Sequence, residues 1–210
     1  NGSGVDMAHF ATAPLPDGPP RFLLVARLLA DKGVRQYAEA ARRIKQQHPE
    51  VVFQLAGDID SNPDTISQQE LDTWVGEGSL EHLGWLNDVR PALAESSVFV
   101  LPSYYREGTP RSILEAMSMG RAVITTDAPG CRETVTNGDN GYLIPVKNVD
   151  ALVKAMQHFI DRPTLVQTMG QRSHEIAKDK YDVHKVNAVM LEAMGIGKPV
   201  KEPFDTIAAK

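Results

Sequence analysis

Val98-Phe99-Val100-Leu101-Pro102-Ser103-Tyr104-Tyr105-Arg106-Glu107-Gly108-Thr109-Pro110-Arg111-Ser112-Ile113-Leu114-Glu115-Ala116-Met117 holds a strand, a loop and a helix start in one run. The apolar tetrad 98–101 stops at Pro102-Ser103 and reads as a buried strand. Thr109 and Pro110 then stand where an N-cap and a first helical residue belong. From Arg111 the first helical turn offers unpaired backbone N–H groups, and the helix dipole adds partial positive charge there. No carboxylate lies in that turn, and Gly108 lets a ligand come close to the backbone. This is a place for an anion, and phosphate fits it. At about 100° per residue, Ile113, Ala116 and Met117 share one face while Glu115 points away with Arg111 and Ser112. Spacing alone leaves Glu115 two readings. It can be a free acceptor beside a phosphorylated ligand, or the partner of Arg111 in a solvated pair worth a few tenths of a kcal/mol at about the weaker i,i+4 orientation.

Outward from that run, strand and helix alternate. Phe22-Leu23-Leu24-Val25-Ala26 is a strand, and the helix after Gly33 carries a stripe of Val34, Tyr37, Ala38, Ala41 and Ile44. Lys32 stands at that helix start, where the dipole disfavours a cation, so something negative is expected to offset it. Val51–Ala56 is the next strand, ending in Gly57-Asp58-Ile59-Asp60. Asp58 and Asp60 could share a divalent metal with a phosphate, but aspartates at a strand end more simply bond to neighbouring backbone N–H groups. Residues 66–76 read as a weak helix, 80–83 as a short strand running into Gly84-Trp85-Leu86, and 88–95 as a short helix. A lone Trp85 reads first as core. After Gly120, a helix stop, come a strand at 122–126 and Asp127–Glu133, expected to turn into a further helix with Glu133 near its start. Gly141–Pro145 is a strand, and the next helix has a core stripe of Val149, Leu152, Val153, Met156, Phe159 and Ile160. Helices at 163–178 and 182–195 close the fold. Residues 1–20, with four prolines, form an irregular lead-in, residues 21–195 the domain, and 196–210 a loosely ordered tail. The pattern is α/β, a doubly wound parallel sheet of Rossmann-like type. In such sheets ligands bind beyond the carboxyl ends of the strands. Arg27, Lys32, Trp85 and the 107–115 run all follow strands at that edge.

Composition narrows the classes. With 210 residues, 42% apolar and 23% charged, the chain can bury one full core. Residues 1–105 carry eight Lys/Arg against fourteen Asp/Glu, and residues 106–210 fourteen against thirteen. Neither half has the basic excess of a nucleic-acid binder. The single Cys131 rules out an internal disulfide and fits a reducing compartment. No apolar run reaches membrane-spanning length. The six histidines lack ligand spacing. A chain opening on Asn1 rather than Met reads as part of a longer protein.

Glu107 and Glu115, separated by seven residues with Gly after the first, resemble the signature of family 4 glycosyltransferases, retaining enzymes of the GT-B fold. The wording from Glu107 to Met117 is most similar to members that build bacterial surface polysaccharides. The likeness runs from Gly4-Val5-Asp6, which resembles the family's passage between domains, to the helix ending near Met194. It implies the C-terminal, donor-binding half of such an enzyme. Arg27 and Lys32 resemble the pair that grips the donor diphosphate. Gly108, Thr109, Pro110, Arg111 and Ser112 then hold phosphate, Glu115 the ribose, and Glu107 the hydroxyls of the donor sugar. Trp85 and Leu86 lie by the base.

By the same resemblance the donor is a nucleotide sugar, with UDP expected, and no cofactor or metal is needed. The acceptor is a saccharide or lipid-linked saccharide held by an N-terminal domain outside this chain. The place implied is cytoplasmic, with the longer enzyme peripheral at the inner face of the cell membrane. Three rivals share parts of the pattern: a glycoside hydrolase using Glu107 and Glu115, an epimerase of nucleotide sugars, and a module that binds nucleotide without consuming it. The Arg27/Lys32 pair argues against the hydrolase, because glycosides carry no diphosphate.

Overall fold

The computed structural model describes residues 4–106 and 108–195. Glu107 and the expected tail 196–210 lie outside the described residues. Among the described residues, six parallel strands form one sheet in the order β3-β2-β1-β4-β5-β6. They are β1 (Arg21–Val25), β2 (Val52–Ala56), β3 (Glu81–Gly84), β4 (Val98–Leu101), β5 (Ala122–Thr126) and β6 (Gly141–Ile144). Their central members are buried on both faces, as parallel strands covered by crossover helices must be. The order reverses between β1 and β4, where Phe22 pairs with Val98 and Leu23 with Phe99. That switch point leaves a crevice at the carboxyl edge.

Alternation along each strand divides the core in two. Phe22, Leu24, Phe53, Leu55, Val100 and Ile124 face α1 (Val34–Lys45) and α5 (Val149–Asp161). The α1 stripe is buried in full, Ala40 included. Leu23, Phe99, Leu101 and Val123 face the other way, toward α3 (Arg90–Ala94), α4 (Arg111–Ser118) and the end of α6 (Thr164–Ile176). Burial of each large side chain contributes about 1.5–3 kcal/mol. A wide helical turn, Ala177–Tyr181, leads to α7 (Val183–Ala193), which buries none of its residues.

Helix starts are treated unequally. On α2 (Gln68–Gly76), Ser67 and Glu70 form a reciprocal capping box. Asn148 caps α5 and Asp182 caps α7. Among the described residues, neither α1 nor α4 has a side-chain cap or an acid in its first turn. Both begin beside the switch point.

Two expectations need correcting. The expected helix after Asp127 does not form; residues 129–134 make a turn between irregular stretches. Gly130 takes φ 89°, the β-branched run Thr134–Thr136 follows, and Gly138 at φ 82° turns the chain toward β6 before a helix can form. Glu133 serves that turn, its carboxylate accepting from the Gly130 N–H at 2.7 Å. The α4 helix also begins one residue later than expected. Pro110, at ψ 122°, is its N-cap and Arg111 its first residue, so Thr109 lies outside. The lead-in is irregular, as expected, yet it is tied down: Val5 is buried and exchanges backbone hydrogen bonds with Tyr181 and Val183.

Candidate functional site

The loop after β1 is fixed to the loop after β4 before either reaches the crevice. The Asp31 carbonyl accepts from the Tyr104 N–H at 2.9 Å and from the Ser103 hydroxyl at 3.1 Å. Gly33 takes φ 75° against Pro102, whose carbonyl oxygen a Cβ would strike. Thr125 and Thr126 add hydroxyl bonds to the Leu101 and Ser103 carbonyls. The Asp31–Gly33 turn that carries Lys32 is thereby held to the first residues after β4.

Between them lies a cavity of about 570 Å³. Its floor is the strand ends Val25, Ala26, Ala56, Gly57 and Leu101; Arg27 and Lys32 form one wall. Pro110, Arg111, Ser112 and Glu115 form the wall opposite, and Trp85, Leu86 and Val89 the end nearest β3. Ten of the eleven residues read from sequence fall as follows: Arg27, Lys32, Trp85, Leu86, Pro110, Arg111, Ser112 and Glu115 line the cavity, while Gly108 and Thr109 lie on the approach to α4 and do not. Glu107 lies outside the described residues. The count within the cavity is therefore eight, with Gly108 in open space where a Cβ would meet nothing within 4 Å.

Electrostatics separate the wall residues. Arg27 is exposed, and its guanidinium donates to Asp60 at 3.2 Å. The Lys32 ammonium lies 5.2 Å from the centre of the Tyr105 ring. Across from them stand the uncapped N–H groups of α4. Glu115 is half-buried, and that burial pushes its carboxyl up from the usual range while Arg111 pulls the other way. Among the described residues no ion pair joins Arg111 to Glu115, so the solvated-pair reading is not realised. Trp85 is 67% exposed, its indole N–H donating to Asn87 at 3.2 Å. The core reading of that residue is overturned.

The aspartates at the end of β2 form a local turn. Asp58 accepts from the Ile59 N–H and Asp60 from the Asn62 N–H, both at 3.0 Å. Sequence reasoning missed Asp60 as the partner of Arg27, since 33 residues separate them. It also missed Gly57, which directly follows a predicted strand at the same edge, and Val89, which lies in the first turn of the helix expected over 88–95. Gly57, at φ 145°, leaves no room for a Cβ against the Ala26 carbonyl.

A doubly wound sheet with basic side chains and an uncapped helix start at its switch point defines an α/β domain suited to a phosphorylated ligand. Comparison with known proteins makes this specific. The family described as "Glycosyl transferases group 1" matches residues 19–162, and the chain belongs to it. It is 36% identical over 161 residues to the N,N'-diacetylbacillosaminyl-diphospho-undecaprenol alpha-1,3-N-acetylgalactosaminyltransferase of Campylobacter jejuni, covering 77% of this chain and 41% of that one. It is 35% identical over 146 residues to the UDP-Gal:alpha-D-GlcNAc-diphosphoundecaprenol alpha-1,3-galactosyltransferase of Escherichia coli, covering 69% of this chain and 37% of the other.

The chain therefore spans about two fifths of the length of these relatives. In fold it is similar to HepE of Anabaena, solved in complex with UDP, with TM-score 0.79 and 22% identity over 91% of this chain and 56% of that one. Sucrose-phosphate synthase of Thermosynechococcus elongatus gives TM-score 0.79 and 23% identity over 92% and 51%. Among the described residues no helix is long and apolar enough to cross a membrane.

Proposed function

We propose that this chain is the donor-binding domain of a retaining glycosyltransferase that moves a sugar from a UDP-sugar to a saccharide or lipid-linked saccharide in polysaccharide biosynthesis. The observation that carries the reading is the meeting of Arg27, Lys32, the uncapped α4 start and Glu115 in one cavity at the switch point. The diphospho-undecaprenol substrates in the names of the two relatives support the acceptor class, and the UDP complex of HepE supports the nucleotide.

In the reaction, charge collects on the departing diphosphate as the sugar bond breaks. Arg27 and Lys32 stabilise that charge from one wall, and the N–H groups of Arg111 and Ser112 from the other. Because these donors are fixed before the reaction, little reorganisation is needed. Glu115 accepts hydrogen bonds from the ribose hydroxyls, and Trp85, Leu86 and Val89 give the base an apolar end wall. The family resemblance assigns the donor sugar's hydroxyls to Glu107. Two cationic side chains and a helix dipole supply the positive charge that a metal would otherwise bring, so the chemistry proposed is metal-independent. The acceptor comes from protein outside this chain. Residues 1–210 alone bind donor and transfer sugar poorly, and the longer enzyme works in the cytoplasm, peripheral to the inner membrane face.

The test is incubation of the chain, alone and joined to an acceptor-binding domain, with radiolabelled UDP-sugars and polyprenyl-diphosphate-linked saccharides. Transfer by the joined protein with retained anomeric configuration is expected. Conversion of the donor sugar without acceptor, or cleavage of glycosides without nucleotide, would overturn the proposal.

A further inference from the structure

The guanidinium of Arg121 is fully buried, at the first turn after α4. Its Nη2 donates to the Ala13 carbonyl at 2.9 Å and the Pro14 carbonyl at 3.1 Å, while Nε and Nη1 have no partner among the described residues. A buried cation with one nitrogen satisfied is costly, and replacing such a group with an apolar one often stabilises a fold. What it secures is the lead-in. Nearby ties repeat the pattern: the buried Ser118 hydroxyl donates to the Phe10 carbonyl at 2.7 Å, and the Ala13 N–H to the Met119 carbonyl at 3.4 Å. From α6, His174 Nδ1 meets the Ser118 carbonyl at 2.7 Å.

All these ties grip the carboxyl end of α4. The helix has eight residues, about 12 Å at the usual rise. Its other end is the cavity wall. The link is direct, because the Met119 N–H donates to the Glu115 carbonyl at 3.1 Å while the Met119 carbonyl accepts from Ala13. One residue, Met119, joins the lead-in to the backbone of Glu115.

We infer that Arg121, through the lead-in segment Phe10–Pro14, is a positioning residue for the donor site, clamping α4 from behind so that Glu115 and the first-turn N–H groups keep their place. The inference rests on α4 being the wall that holds the nucleotide. It accounts for a buried guanidinium whose hydrogen-bond partners among the described residues are two carbonyls of an irregular segment.

The experiment compares wild type with Arg121→Met, which keeps apolar volume but no donor, Arg121→Lys, which keeps a donor, and Ser118→Ala, which removes a second tie. Amide hydrogen exchange without nucleotide comes first. Release of the clamp is expected to speed exchange at the Leu114–Met119 amides about tenfold in Arg121→Met, with β4 and β5 unchanged. Calorimetric titration with UDP follows. Affinity is expected to fall about tenfold in Arg121→Met and less in Arg121→Lys and Ser118→Ala, with the melting temperature of each variant close to wild type.

Wild-type exchange at α4 in Arg121→Met overturns the inference, and so does unchanged UDP affinity. A loss of affinity matched by a general loss of exchange protection across the sheet also overturns it, since that marks a merely structural role. If wild type itself does not bind UDP, the functional reading falls, and the exchange comparison alone decides whether Arg121 clamps α4.

Discussion

Replacing Glu115 with Gln separates stability from binding at one atom pair. The carboxyl is half-buried, and burial raises its affinity for a proton above the ordinary 4.5. In the folded chain at neutral pH the ionised form is therefore penalised relative to the unfolded chain. A raised carboxyl works against folding once ionised: the penalty is absent below the unfolded value and grows as pH rises through the folded one. Glu115→Gln removes the penalty at nearly constant shape. The variant is expected to melt at the same temperature as wild type or higher at pH 7, the difference closing as pH falls toward 4.5.

Binding moves the other way. Hydrogen bonds to a carboxylate contribute about 1.5–3 kcal/mol each, against about 0.5–1.5 for neutral pairs, so the amide forfeits about 1 kcal/mol per bond and about 2 kcal/mol with both ribose hydroxyls engaged, a loss near 30-fold in UDP affinity. Scanning calorimetry from pH 4 to 8 and a UDP titration at pH 7 read both effects. Equal UDP affinity in the two proteins would refute the role of Glu115. Destabilisation by more than about 1 kcal/mol would refute the reasoning from burial.

Two further substitutions test parts of the account at sites with different surroundings. Arg35 bonds Glu70 through two nitrogens, at 2.6 and 3.1 Å, and holds its carboxyl down to about 2. A depressed carboxyl stabilises above the unfolded value and loses that as pH falls from 4.5 toward about 2. Both partners are well solvated, so Glu70→Gln is expected to cost about 1 kcal/mol at pH 7 and nothing near pH 2, measured by urea denaturation. Trp85→Ala, at a side chain 67% exposed, is expected to leave the melting temperature unchanged. It should weaken UDP binding by about 1–3 kcal/mol through lost stacking on the base, read by calorimetry. Unchanged binding would remove Trp85 from the site.

Much of the fold is visible in the chain because its strands are short apolar runs and its helices carry clean stripes. Val98–Leu101 could hardly be anything but a buried strand, and the α1 stripe from Val34 to Ile44 had one face to bury. The α4 start was legible to within one residue for a local reason: Thr109-Pro110 is the kind of pair that opens a helix, and the chain uses Pro110 as the cap. What sequence could not show depends on distant partners. Asp60 meets Arg27 only because β1 and β2 are neighbours, and Arg121 finds Ala13 and Pro14 across more than a hundred residues. Arginine after a helix stop ordinarily reads as surface, and nothing local marks this one as buried. Trp85 misled because an aromatic ring suits a core and a binding wall equally. The segment after Asp127 misled because Gly130 and Gly138 stop a helix that its other residues would tolerate.

The central claim is that the cavity at the switch point holds a nucleoside diphosphate through Arg27, Lys32, α4 and Glu115 without a metal. Calorimetric titration of the 210-residue chain with UDP in excess EDTA tests it most directly. The account predicts saturable binding at one site. Binding that appears only when Mg²⁺ is restored, or no binding to UDP at all, would contradict it.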